Sequence, residues 1–104
     1  MQDFKVISSL AKGDVTALKK AEKSYGDSWR KRGGVGACMM LARKWDRIEK
    51  QVRESEYDIF KAIKKDPSES GILDDIKDLR RYLLLVEAHM AKELAWHRDR
   101  PRKS

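Results

Sequence analysis

Ile72, Ile76, Leu79, Leu83, Val86 and Met90 fall four, three, four, three and four residues apart. That is the heptad spacing of a helix burying one seam against a neighbouring helix, and a strand, with its period of two, cannot follow it. Leu73, Tyr82, Leu84 and Leu85 widen the apolar surface beyond the seam. A helix apolar on more than one side must bury against more than one partner. A chain of 104 residues builds a single sizeable core. The surplus face is therefore expected to meet a second copy of the chain. Ser68 or Ser70 is expected to cap this helix.

Upstream, Cys38, Leu41, Ala42, Trp45, Ile48 and Val52 recur at helical steps, which places Cys38 and Trp45 in the core. The stripe is expected to slip near Glu54–Glu56, resume as Tyr57, Phe60 and Ile63, and stop at Asp66-Pro67. At the N-terminal end, residues 3–11 read as a short helix with Phe4, Ile7 and Leu10 on one face. Gly13-Asp14 reads as its end, with Asp14 capping a second helix that runs to Tyr25. Nothing alternates like a strand. The fold expected is all-α, a small helical bundle dominated by two long antiparallel helices and assembled as a homo-oligomer. Residues 1–97 are expected to form one domain, and 98–104 a basic disordered tail.

Charge is concentrated rather than spread. Lys and Arg number 24 and Asp and Glu 17, a net charge of +7. Trp29–Gly36 carries Arg30, Lys31 and Arg32 without an acid, and Lys92–Ser104 carries five basic residues against Glu93 and Asp99. Each stretch contributes +3, leaving +1 for everything else. Local patches of this kind suit a phosphate-bearing ligand better than a uniform nucleic-acid coat, although nucleic acid stays possible. Three Trp, three Tyr and two Phe among spaced aliphatics exclude wholesale disorder. The longest apolar stretch, Val35–Ala42, is too short to span a bilayer, so no membrane partner is expected. Met-Gln-Asp-Phe-Lys does not open a secretion leader, and the single Cys38 allows neither a disulfide framework nor a cysteine zinc site. A cytoplasmic location is expected.

The strongest candidate site is Tyr25-Gly26-Asp27-Ser28-Trp29-Arg30-Lys31-Arg32-Gly33-Gly34-Val35-Gly36. Arg30 and Arg32 offer forked donors for phosphate oxygens, and Tyr25 or Trp29 a face for a base. Gly33 and Gly34 let backbone amides approach an anion, which would then meet the N-terminus of the following helix. The competing reading is a flexible, solvated connector with Trp29 tucked into the core. Lys44 and Arg47 lie three apart and could extend the basic surface, and Arg47 has no acid three or four residues away. Asp74, Asp75, Asp78 and Tyr82 are spaced so that two carboxylates could share a divalent cation, but acids also suit a helix start for dipole reasons. His89 and His97 have no third ligand near them in sequence, and no Ser/His/Asp set can be proposed.

Three blocks together resemble a phage and bacterial family, the nucleotide modification associated domain. They are Tyr25-Gly26-Asp27-Ser28-Trp29, Met40-Leu41-Ala42-Arg43-Lys44-Trp45-Asp46-Arg47-Ile48 and Asp75-Ile76-Lys77-Asp78-Leu79-Arg80-Arg81-Tyr82-Leu83-Leu84-Leu85, and the likeness covers roughly residues 14–91. The Asp-Leu-x-x-Tyr block is also distantly similar to a helix of the all-α MazG-type nucleotide pyrophosphatases. Their Glu-Glu-x-x-Glu metal motif has no counterpart here, since Glu49, Glu54 and Glu56 are wrongly spaced. Small size, a basic aromatic loop, helix faces free for assembly and the absence of a catalytic set point to a non-enzymatic nucleotide-binding protein, and the resemblance implies that it is phage-encoded and acts in the host bacterial cytoplasm. In its most concrete form it would sequester a nucleotide immune signal of cyclic or ADP-ribose type. The ligand-binding set is Tyr25, Asp27, Trp29, Arg30, Arg32, Gly33, Gly34, Lys44, Arg47, Asp78 and Tyr82. The enzyme alternative is a metal-dependent nucleotide pyrophosphatase or nucleotide-modification accessory enzyme using Asp75 and Asp78, and only that alternative needs Mg²⁺. A nucleic-acid-binding protein acting through loop and tail is the third class.

Overall fold

The computed structural model describes residues 2–99. Four α-helices follow one another: α1 (Phe4–Tyr25), α2 (Gly33–Arg53), α3 (Ile59–Lys65) and α4 (Ile72–Asp99), with a short 3-10 turn at Ser28–Arg30. No strand occurs among the described residues, so the all-α class expected from the heptad spacing is the one found. The chain divides into two compact units, one ending at Ala37 and one beginning at Cys38. Among the described residues no helix is long and apolar enough to cross a membrane.

In the first unit, α1 is one helix where two were expected. Asp3 caps it, its carboxylate accepting the Val6 N–H at 3.2 Å. Gly13 costs about 1 kcal/mol in a helix interior, but Ile7, Leu10 and Ala11 before it and Leu18 and Ala21 after it share one face. A continuous apolar face outweighs one glycine, because each added residue completes a hydrogen bond without a new nucleation cost. Asp14 is buried within the helix rather than capping a new one. The real terminus is Gly26, at φ +57, whose N–H bonds the Glu22 carbonyl at 2.8 Å.

The second unit is built around Ile48 of α2, Ala62 of α3 and Ile72 of α4, with Val52, Ile63, Ile76 and Leu79 packed against them. Along the α4 seam Ile72 is buried and Ile76, Leu79 and Val86 are partly buried, whereas Leu83 and Met90 are exposed. Trp45 is half exposed and Cys38 is exposed, so neither is core. Their stripe is genuine, but the core begins one turn later, at Ile48. The stripe does not slip past Glu54–Glu56; it ends there. Glu56 and Tyr57 turn the chain through the left-handed region at φ 58° and 60°, and the Tyr57 N–H bonds the Val52 carbonyl at 2.8 Å. Asp58 then caps α3, accepting the Phe60 and Lys61 N–H groups.

Ser55 lies inside this turn with its hydroxyl buried and without a hydrogen-bond partner. A buried donor left unmade costs about 1–3 kcal/mol. Ser55→Ala is therefore expected to raise stability by about 1 kcal/mol in urea denaturation. A loss of stability would show that the hydroxyl has a partner in solution.

Asp66-Pro67 stops α3 as expected. The Ser68 hydroxyl and N–H both bond the Asp66 carboxylate and hold its pKa below the ordinary value. The Ser68 and Ser70 hydroxyls lie 3.2 Å apart within this turn. Arg98 and Asp99, expected to begin a disordered tail, complete α4; residues 100–104 lie outside the described residues.

Candidate functional site

The residues of the expected ligand-binding set fall in two clusters, one in each unit. In the first unit, Tyr25 ends α1 and is exposed, and Trp29 is half-buried in the short 3-10 turn. Asp27, three residues before Arg30, accepts its guanidinium at 2.9 Å. The same guanidinium lies 6.0 Å from the Trp29 ring centroid, the outer limit of a cation–π contact. Arg30 is thus held by its own turn. Lys31 and Arg32 are exposed, and no carboxylate pairs with either among the described residues.

Gly33, Gly34 and Gly36, expected to keep a loop flexible, form the first turn of α2. Gly33 makes the entry at φ +70, a conformation that side chains with a Cβ rarely adopt. Gly36 lies beneath Arg32: a Cβ added there would come within 2.7 Å of the Arg32 Cβ. The two glycines do different things, one turning the chain and one making room for the arginine stem. No acid lies in the first turn of α2, where N–H groups lack intrahelical acceptors. Chemically, the turn offers a lysine, an arginine and a positive helix end to an anion.

The second cluster joins α2 to α4. Lys44 Nζ is 2.5 Å from Asp78 Oδ2 and 5.5 Å from the Tyr82 ring centroid. Arg47 Nε is 3.3 Å from Asp75 Oδ1, and Gln51 donates to Asp75 Oδ2 at 2.6 Å. Burial pushes the Tyr82 phenol up, so the ring beneath Lys44 stays neutral at physiological pH. Each carboxylate is already matched by a cation, and no group of three or more His, Cys, Asp or Glu is placed to hold a metal among the described residues. Arg47, which has no acid on its own helix within reach, finds one on α4. Gln51 belongs to this ladder and was missed, although it stands seven residues after Lys44 on the same face.

No family model, curated protein or solved structure matches this chain. The reading of the site therefore rests on its own residues. Two of the three blocks behind the family resemblance meet here in one structural role. Lys44 and Arg47 come from the second block, and Asp75, Asp78 and Tyr82 from the third. Together they tie α2 to α4.

Proposed function

We propose that this chain is a non-catalytic binder of a nucleotide or another phosphorylated small molecule, held at the turn over residues 25–36. The observation that carries the reading is the pair of exposed cations, Lys31 and Arg32, unpaired among the described residues and immediately ahead of an acid-free helix start. Arg30, oriented by Asp27, supplies a third charge, and Tyr25 an exposed ring for a base. The polar ladder supports an antiparallel α2–α4 pair, because partners on α4 fall in number from Asp78 to Asp75 as α2 rises from Lys44 to Gln51. Self-association through the uncovered part of α4 completes the proposal. In its most specific form, the protein is a phage-encoded sponge for a nucleotide immune signal.

Calorimetric titration with ATP, ADP-ribose and a cyclic dinucleotide tests the site. A charge-assisted contact contributes about 1.5–3 kcal/mol, so Arg32→Ala is expected to weaken binding roughly ten- to a hundredfold. Ligand recovered after heat denaturation is expected intact, with or without Mg²⁺. Unchanged affinity in Arg32→Ala, or cleaved nucleotide, overturns the reading.

A further inference from the structure

The continuity of α1 aligns side chains that two separate helices would have left unrelated. At about 100° per residue, Lys5, Lys12, Lys19, Lys20 and Lys23 fall within one arc of roughly 120°, shared only with Ser8, Ser9 and Thr16. No acid and no apolar residue enters that arc. Asp14 and Glu22, the acids of the helix itself, lie on the apolar side. All five lysines are exposed, and none has a carboxylate partner among the described residues. From Lys5 to Lys23 the row extends about 27 Å at 1.5 Å per residue.

We propose that this lysine face binds the phosphate backbone of a nucleic acid, as a surface distinct from the turn at residues 25–36. Five like charges drawn out over that length exceed the reach of a mononucleotide and match a linear polyanion. Lysine is the suitable residue for such contact. It is a point charge on a flexible stem, able to follow successive phosphates without the fixed fork that reads a base edge. Ser8 and Ser9 lie between Lys5 and Lys12 along a shallow groove edged by Phe4, where short hydroxyls reach phosphate oxygens. An anionic bilayer is the less suitable partner. Lying on one would turn the opposite arc into the acyl region, and the middle of that arc is Asp14, buried against protein.

Anisotropy of a labelled 20-base-pair duplex of arbitrary sequence, titrated from 50 to 200 mM salt, tests the face. Each phosphate contact contributes a slope of about −0.9 to log K against log salt, so Lys5→Gln/Lys12→Gln/Lys19→Gln is expected to flatten the slope by about 2.7. Affinity at 50 mM salt should fall more than tenfold. Glutamine is a good helix former, and unchanged far-UV circular dichroism is expected. The Lys→Arg triple at the same positions should keep the slope. Lys61→Gln/Lys64→Gln/Lys65→Gln removes equal charge elsewhere and should leave the slope within about one unit of wild type. Equal flattening by both glutamine triples, no duplex binding at 50 mM salt, or binding to phosphatidylserine vesicles but not to the duplex overturns the proposal.

Discussion

Ile72→Ala is expected to lower stability by about 3–4 kcal/mol, enough to leave much of the second unit unfolded at 37 °C. Truncating a buried isoleucine removes its transfer free energy and leaves a cavity that the surroundings only partly close, for about 2–5 kcal/mol. Three features place Ile72 well inside that range. It is only 1% exposed, it opens α4, and it touches a core whose other buried members are Ile48 and Ala62. Ala62 is too small to move into the gap, and Ile48 belongs to a helix pinned by the Lys44–Asp78 and Arg47–Asp75 pairs. At about 0.05–0.15 kcal/mol per residue, a unit of this size has only a few kcal/mol to lose. Leu73 is the control. It is adjacent and half exposed, and Leu73→Ala should cost less than about 1 kcal/mol. Urea melts followed by circular dichroism compare the two; equal losses would remove Ile72 from the centre of the core.

Ile72 was legible because it opens a heptad seam, whose spacing showed that the chain is helical but also pointed to Leu83 and Met90, which are exposed. Boundaries were harder. Gly13-Asp14 has the residues of a stop and a cap, and only the apolar face running through it shows that the helix continues. Reading a break there also hid the lysine row, since angular register means nothing across a broken helix. Trp45 follows the apolar stripe faithfully but lies one turn short of the core, and periodicity does not say where a neighbouring helix ends. The α2–α4 ladder was out of reach for a different reason. Lys44 and Asp78 are 34 residues apart and Gln51 and Asp75 are 24 apart, and pair rules on a single helix reach only three or four. A trace of it was present: Arg47, with no local acid, needed a distant one.

Met90→Glu is expected to turn an oligomer into a monomer. The seam that buries Ile72 continues without interruption through Leu83, Met90 and Leu94, but its cover does not. Ile72 is 1% exposed, Leu83 47%, Met90 63% and Leu94 68%, with Val86 between Leu83 and Met90 partly buried. α3 has seven residues against the 28 of α4, and at 1.5 Å per residue it reaches only the first turns. Three large apolar side chains are then left about half exposed or more on one face. Fully burying such a side chain is worth about 1.5–3 kcal/mol, so a two-fold pairing that covers the exposed part of all three, twice, returns about 5–11 kcal/mol, comparable to an association cost of about 4–15 kcal/mol. A carboxylate at the middle of that face would be buried without a partner. The apparent Kd should rise more than a hundredfold, equivalent to roughly 3 kcal/mol. Ala88→Glu adds the same charge two residues away on the opposite side of α4, and should leave assembly unchanged. Light scattering at micromolar concentration should therefore report a dimer or larger for wild type and Ala88→Glu, and a monomer for Met90→Glu. A monomeric wild type would mean that the bare half of the seam is covered by something other than a second copy.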